Sequence, residues 1–183
     1  MFIVTYEGHF GFIKPWTAVR DGETFTQQFL TSSIIEGMRQ KLEVSAILRH
    51  RLTYAGIDIQ QEVTHTRGWE YKRQSKTYER HRSILNRGVM LYPTLYLAFG
   101  SEADAKKAST QHICLCRNED VMLPSNKIEI MSESEFDQKD GFELRFGESD
   151  NSFLVGYNRF KNAEPMFGWL EATDNPLKTN EQL

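Results

Sequence analysis

The sequence predicts a single α+β domain, and three observations support this class. The chain has 183 residues, of which 39% are hydrophobic, and this suffices for one core but not for two ordinary domains. Short β-branched and aromatic runs alternate with two helical segments that begin at Ser or Thr residues. More than twenty mostly polar residues separate the second and third predicted strands, which is longer than the usual connection in a compact domain.

The first half of the chain contains two predicted strands and one helix. Residues 2–6 are short, β-branched or aromatic, and are expected to be a central strand. Ser33 and Glu36 have the S-x-x-E spacing of a capping box, so a helix should begin near Ser33 and pack one apolar stripe on the sheet. Residues 52–63 alternate loosely and are predicted to be the second strand.

The second half continues with strands around one further helix. Residues 88–99 are strongly β-prone, but Pro93 donates no ladder hydrogen bond, so we expect an edge position or a bulge there. Ser101 should cap a helix that ends near Lys107, and residues 111–117, 127–131 and 142–146 should be the last strands. This order is that of a ferredoxin-like (RRM-like) core, an antiparallel sheet with two helices on one face. The predicted domain spans 1–183, with an insertion at about 64–88 and a loose tail at about 172–183.

The formal charge of −3 conceals a strong asymmetry along the chain. Residues 39–87 carry eleven Lys/Arg against five Asp/Glu, whereas residues 129–183 carry twelve acids against five bases. A polyanion should therefore meet one face or one loop of the molecule. The chain has no apolar run of membrane-spanning length and no signal-peptide pattern, and its two cysteines are spaced C-x-C, so we expect a cytoplasmic protein without membrane contact.

Residues 67–87, the basic segment, point to a nucleic-acid partner. Seven Lys/Arg are interleaved with three aromatic rings and one histidine, and Glu70 and Glu79 are the only countercharges. Such cations match a phosphate backbone, and the rings can stack on unpaired bases, so single-stranded RNA is the expected partner. The predicted RNA-binding residues are Arg67, Trp69, Tyr71, Lys72, Arg73, Lys76, Tyr78, Arg80, His81, Arg82 and Arg87, with Lys14, Trp16 and Arg20 as a second contact region. The competing interpretation is a solvated helix face, because Lys72, Lys76 and Arg80 also fall at i, i+4 and i+8.

Four motifs stand out along the chain: Phe10-Gly11-Phe12 with Pro15, the helix start at residues 31–37, the run from His81 to Arg87 that leads into a strand, and a C-terminal turn at residues 155–160. Together they resemble motifs of the CRISPR-associated Cas five family of the RAMP superfamily. The resemblance implies a ferredoxin-like core with a basic thumb that grips the 5′ handle of a CRISPR RNA. Implied partners are the crRNA, a Cas seven-like backbone subunit and a large subunit, with target DNA nearby. The short chain and the divergent C-terminal turn suggest a reduced system such as type IV.

The sequence leaves two other functions open. Some members of that family cut precursor RNA without metal, and His81, Tyr78 and Lys76 are the candidates for such an endoribonuclease. Alternatively, the basic segment contacts an acidic partner protein. His112, Cys114 and Cys116 share a strand face, but a fourth ligand and Cys-x-x-Cys spacing are missing, so we expect buried cysteines, no metal site and no cofactor.

Overall fold

A computed structural model describes residues 1–15, 22–65, 68–158 and 162–178. Within these ranges the chain is mixed α+β and mostly antiparallel, which confirms the predicted class. None of its helices there is both long and apolar enough to cross a membrane. The elements are β1 (Phe2–Glu7), β2 (Phe10–Gly11), β3 (Glu23–Phe25), α1 (Ser32–Leu42), β4 (Arg49–Thr53), β5 (Gly56–His65), β6 (Glu70–Lys72), β7 (Thr77–Glu79), β8 (Arg82–Leu91), β9 (Thr94–Phe99), α2 (Glu102–Ala108), β10 (Ile113–Cys114), β11 (Val121–Ile130), α3 (Glu133–Asp137), β12 (Gly141–Phe146), β13 (Phe153–Asn158) and β14 (Glu164–Thr173).

The main sheet has eight strands in the order β10-β11-β1-β9-β4-β12-β14-β13, with antiparallel neighbours throughout. Strand alternation divides β1 between two cores. Val4 and Tyr6 are fully buried in the larger core, which contains side chains of α1 and α2. Ile3 lies in a smaller core with Phe136 of α3. The expected two helices therefore share one core, and a third helix packs against the other face of the sheet.

Helix α1 begins at Ser32, close to the predicted start at Ser33, but a different residue caps it. Thr31 is the N-cap, since its side chain accepts a hydrogen bond from the backbone N–H of Ile34. Glu36 instead holds Arg39 in an ion pair at 2.8 Å. The Ser33 capping box was therefore wrong, because an extended Thr31 already supplies the cap. Ser101 does cap α2, as predicted.

Several strand boundaries differ from the prediction. Pro93 lies in the turn between β8 and β9, so the expected edge position or bulge was wrong. The strand predicted at 52–63 is divided between β4 and β5, and the strand predicted at 111–117 shrinks to two residues. Part of the predicted loose tail is ordered, because β14 extends to Thr173 and Leu177 forms a parallel bridge with Tyr54. These differences arise from pairing with distant strands, which local patterns do not encode.

The C-terminal half contains three elements that were not predicted from the sequence. Helix α3 has a complete capping box between Ser132 and Glu135, although no helix was predicted there. Strands β13 and β14 form a hairpin that extends the sheet beyond β12. Strand β12 itself pairs with β4, which places Glu143 against Arg49, with the guanidinium Nε 2.6 Å from the carboxylate.

A second sheet is built around β5 and β8, which pair antiparallel over ten residues, from Gly56 opposite Leu91 to His65 opposite Arg82. The other edge of β8 pairs with β2 and, in parallel, with β3. Beyond these contacts the chain continues into the β6–β7 hairpin. We call residues 56–91 the ribbon and the β6–β7 hairpin with its flanks, residues 68–82, its tip. The described part of the basic segment has strand pairing and no helix, so the helix-face interpretation was wrong.

Candidate nucleic-acid interface

The tip presents an aromatic face. In the β6–β7 hairpin Tyr71 lies directly opposite Tyr78, and alternation puts Trp69 and Arg80 on the same side. The three rings are exposed by 67% (Trp69), 51% (Tyr71) and 67% (Tyr78). The Tyr71 and Tyr78 centroids are 5.2 Å apart with a tilt of 52°, and the Arg80 guanidinium lies 5.7 Å from the Trp69 ring centroid. A polypeptide core normally buries such rings, so this face is suited to an external flat partner.

The opposite face of the tip is polar. Glu70 and Glu79 lie directly across from each other in the hairpin. His81 Nε2 is 2.9 Å from Glu70 Oε2, and both side chains are about half exposed. The carboxylate therefore orients the imidazole ring. Because alternation puts Tyr78 on the aromatic face, the structure does not bring the predicted catalytic pair of His81 and Tyr78 together.

The basic side chains of the tip surround these two faces. Lys72, Arg73, Lys76, Arg80 and Arg82 are all exposed. Among the described residues, no carboxylate lies within ion-pair distance of Lys72, Arg73, Lys76 or Arg82. Arg73 to Lys76 form the turn, and Lys76 closes it in the left-handed region at φ 53°. Five cations against two carboxylates leave the tip with a net positive charge in an acidic chain.

Arg87 differs from the other cations of the basic segment. Its side chain is only 18% exposed, and its Nε donates to Glu62 Oε2 at 2.5 Å across the ribbon. The guanidinium also lies 5.1 Å from the Phe12 ring centroid. Arg87 therefore fastens the base of the ribbon to the core, and phosphate contact would require it to leave Glu62. A side chain 25 positions away in sequence makes this pair, which a local pattern does not reveal.

Arg117 completes this attachment from the loop between β10 and β11. Its guanidinium lies 5.4 Å from the same Phe12 ring, and its Nη1 donates to Gln60 of the ribbon at 2.7 Å. Asp120, which is fully buried, accepts from Arg117 Nη2 at 2.6 Å. Two arginines on one ring thus join the ribbon to the sheet. No local pattern in the sequence indicates this cluster, because its members come from distant parts of the chain.

The remaining predicted site residues lie apart from the tip or outside the described ranges. Lys14 is exposed, and its backbone N–H donates to Cys116 Sγ at 3.4 Å. Trp16, Arg20 and Arg67 fall outside the described residues. The second contact region therefore stays a prediction.

His50 and the two cysteines offer no competing site. Burial, aided by Arg49 and Arg51, lowers the pKa of His50 to about 3, so this ring is neutral and inside the core. The prediction of buried cysteines was wrong, because Cys116 is exposed and Cys114 is only partly buried. In the described ranges no group of three or more His, Cys, Asp or Glu residues is arranged to hold a metal ion.

Comparison with known proteins finds no protein-family model and no curated protein that matches this chain.

Proposed function

We propose that this protein is a non-catalytic, single-stranded RNA-binding subunit of a CRISPR effector ribonucleoprotein, and that the ribbon grips the 5′ handle of the crRNA. One observation carries the proposal. Trp69, Tyr71 and Tyr78 share one exposed face of a hairpin, and exposed cations surround them. This combination of stacking rings and exposed cations is typical of proteins that bind single strands.

The strand order supports the assignment of the core. Taken alone, β1-α1-β4-β9-α2-β11 has the order β-α-β-β-α-β, and its strands lie side by side as β11-β1-β9-β4. We infer a ferredoxin-like core from this order, in which β12, β13 and β14 extend the β4 edge. The ribbon is inserted between β4 and β9, the second and third core strands. This is the position that the resemblance to the Cas five family implies for a thumb.

The rings and the cations have different roles in this proposal. Stacking contributes roughly 1–3 kcal/mol per base and tolerates any base, because every base has a π-face. Exposed Lys and Arg contact phosphates and make affinity salt-dependent. The acidic C-terminal part of the chain repels RNA, so a strand is held on the ribbon side.

The same proposal includes the protein's neighbours. A Cas seven-like backbone subunit and a large subunit would flank the protein in the complex, with target DNA nearby and a cytoplasmic location. We expect the protein to cap the backbone filament at the handle end of the crRNA.

Co-purification tests the assignment most directly. The protein is expressed with the products of its neighbouring genes, isolated, and its bound RNA is sequenced. Repeat-derived RNA with a common 5′ handle is the expected result. Recovery of the assembled proteins without repeat-derived RNA would overturn it.

A salt titration separates RNA binding from the protein-partner alternative. Arg73→Ala should weaken binding of a single-stranded RNA and reduce the slope of log affinity against log salt by about 0.7. Lys106→Ala is the matched control, since Lys106 is exposed on α2 and pairs with Glu102. Equal salt slopes for the wild type and Arg73→Ala would favour an acidic protein as the partner of the tip.

A metal-independent endoribonuclease is the second candidate, and the Glu70–His81 contact is the observation in its favour. A carboxylate that orients an imidazole is a common arrangement for a general base. Incubation with repeat RNA in EDTA distinguishes the two functions. A defined cut that is lost in His81→Ala would establish the enzyme, and intact RNA would leave the binding function alone.

A further inference from the structure

A cavity lies at the base of the ribbon, where β8 ends and β9 begins. Its volume is about 590 Å³, within the roughly 300–1,000 Å³ that small-molecule sites occupy. Three separate parts of the chain form its walls: the loop after β1 with His9, the Tyr92–Pro93 turn, and the start of β11. Lys178 reaches it from the C-terminal segment.

Tyr92 is held at this cavity in a costly conformation. Its φ of 48° lies in the left-handed region, where a bulky residue is rare and strained. The Tyr92 N–H donates to the His9 carbonyl at 2.9 Å, and the Gly8 N–H donates to the Pro93 carbonyl at 3.1 Å. These two bonds hold the turn against the loop, while the Tyr92 side chain stays 46% exposed. The His9 ring meets the Tyr92 ring edge-on, with the centroids 6.3 Å apart.

The cavity also contains polar groups of both signs. The Lys178 ammonium donates to the hydroxyl of Thr94, which is 2% exposed. The backbone of Lys178 is anchored as well, because its N–H donates to the Tyr54 carbonyl at 2.9 Å. Glu7, at the end of β1, lines the same cavity. Leu123, which is 62% exposed, provides an apolar wall.

These groups match the chemistry of a nucleobase. An exposed aromatic ring stacks on a base, and apolar walls exclude water from its edges. A carboxylate accepts hydrogen bonds from two parallel N–H groups, and an ammonium donates to a carbonyl oxygen or ring nitrogen. Guanine presents both sets, N1–H with N2–H and O6 with N7, whereas adenine lacks the O6 acceptor.

We propose that this cavity binds an unpaired guanine base of the RNA, stacked on Tyr92 and hydrogen-bonded to Glu7 and Lys178. The inference rests on the proposed RNA-binding function and extends it from a sequence-tolerant tip to a base-selective subsite. Ten paired residues make the ribbon roughly 33 Å long. An RNA strand that reaches both the tip and the cavity is therefore several nucleotides long.

Titration with free nucleotides tests binding at the cavity independently of RNA binding at the tip. Isothermal calorimetry with guanosine 5′-monophosphate and adenosine 5′-monophosphate should show at least about fivefold tighter binding of the guanine nucleotide. Tyr92→Gly relieves the backbone strain and should weaken that binding, whereas Tyr92→Phe should retain it. Lys178→Met should also weaken it, and Lys106→Met is the matched control on α2. Equal affinities for the two nucleotides, or equal affinities of Tyr92→Gly and the wild type, would overturn the proposal.

Crosslinking tests whether a guanine base of a bound RNA lies in the cavity. A single-stranded RNA that carries one 6-thioguanosine is bound, irradiated and digested, and the crosslinked peptide is identified by mass spectrometry. A crosslink to the peptide that contains Tyr92 or Leu123 is expected, and crosslinks confined to the tip would overturn the subsite. Tyr78→Ala, at the tip, should weaken RNA binding and leave guanosine monophosphate binding unchanged. Nucleotide binding at the cavity without any RNA binding would refute the proposed function alone, and RNA binding without nucleotide selectivity would refute the subsite alone.

Discussion

Replacement of Tyr78 by alanine tests the proposed stacking function of the tip. The ring is 67% exposed and contacts Tyr71 at a centroid distance of 5.2 Å. Its loss costs the hairpin the pair energy of about 0.5–1.5 kcal/mol and leaves both cores intact. The loss for RNA is larger if a base stacks there, about 1–3 kcal/mol, which corresponds to a rise in Kd of about 5- to 150-fold.

Fluorescence anisotropy with a 5′-labelled single-stranded RNA measures this rise. Tyr157→Ala is the matched control, because Tyr157 is 58% exposed on β13, which is also a hairpin strand, but belongs to the acidic part of the chain. Tyr78→Phe keeps the ring and should bind like the wild type. A Kd for Tyr78→Ala within about twofold of that for Tyr157→Ala would refute stacking on the tip.

Three further predictions concern the ribbon, the sheet and the core. Arg82→Ala should reduce the salt slope of RNA binding by about 0.7, whereas Arg87→Ala should leave the slope unchanged and lower the free energy of unfolding by about 1 kcal/mol, because it removes the ion pair to the half-exposed Glu62 and the contact of the guanidinium with Phe12. Gly168→Ala should destabilise the protein by about 1–3 kcal/mol in a urea titration, since the added Cβ would lie 2.3 Å from a backbone carbonyl oxygen. In the same titration Gly37→Ala, in mid-helix with no atom within 4 Å of the added Cβ, should instead stabilise the protein by about 0.5–1 kcal/mol. His50 has a folded pKa of about 3 and an ordinary unfolded value near 6.5, so the unfolded state binds the extra proton and stability falls as the pH drops through this window. Between pH 7 and pH 5 the loss of stability from this group should be about 2 kcal/mol. His50→Leu should remove this loss, whereas a variant at an exposed histidine should keep it. Equal acid slopes of stability for the two variants would contradict that account.

Composition predicted a nucleic-acid partner, but it did not indicate the surface that such a partner would meet. The spacing of Lys72, Lys76 and Arg80 fits one face of a helix, and the same residues fit a hairpin with a turn. Pairing of Tyr71 with Tyr78 decided between these, and it put three rings on one side and His81 on the other. In the sequence Arg87 does not differ from the other cations of the basic segment. Its ion pair with Glu62 forms only in the folded chain.

Some features of the missed elements were visible locally. Ser132 and Glu135 have the same S-x-x-E spacing that was recognised at Ser33, and only the former is a real capping box. At α1 the chain enters through an extended Thr31, which takes the cap instead. A spacing rule identifies candidates for a cap, and the direction of the incoming backbone selects among them.

The sequence by itself determined the α+β class, the opening strand, the Ser101 cap and the concentration of cations and rings in the basic segment. These properties depend on residues that are close together in the chain, so local propensity and spacing express them. Only the tertiary structure decided the strand order, the face that each ring occupies, which arginine is ion-paired, and the cavity beside Tyr92. Each of these joins residues from distant parts of the chain, and strand pairing and burial, which no short stretch of sequence contains, bring them together.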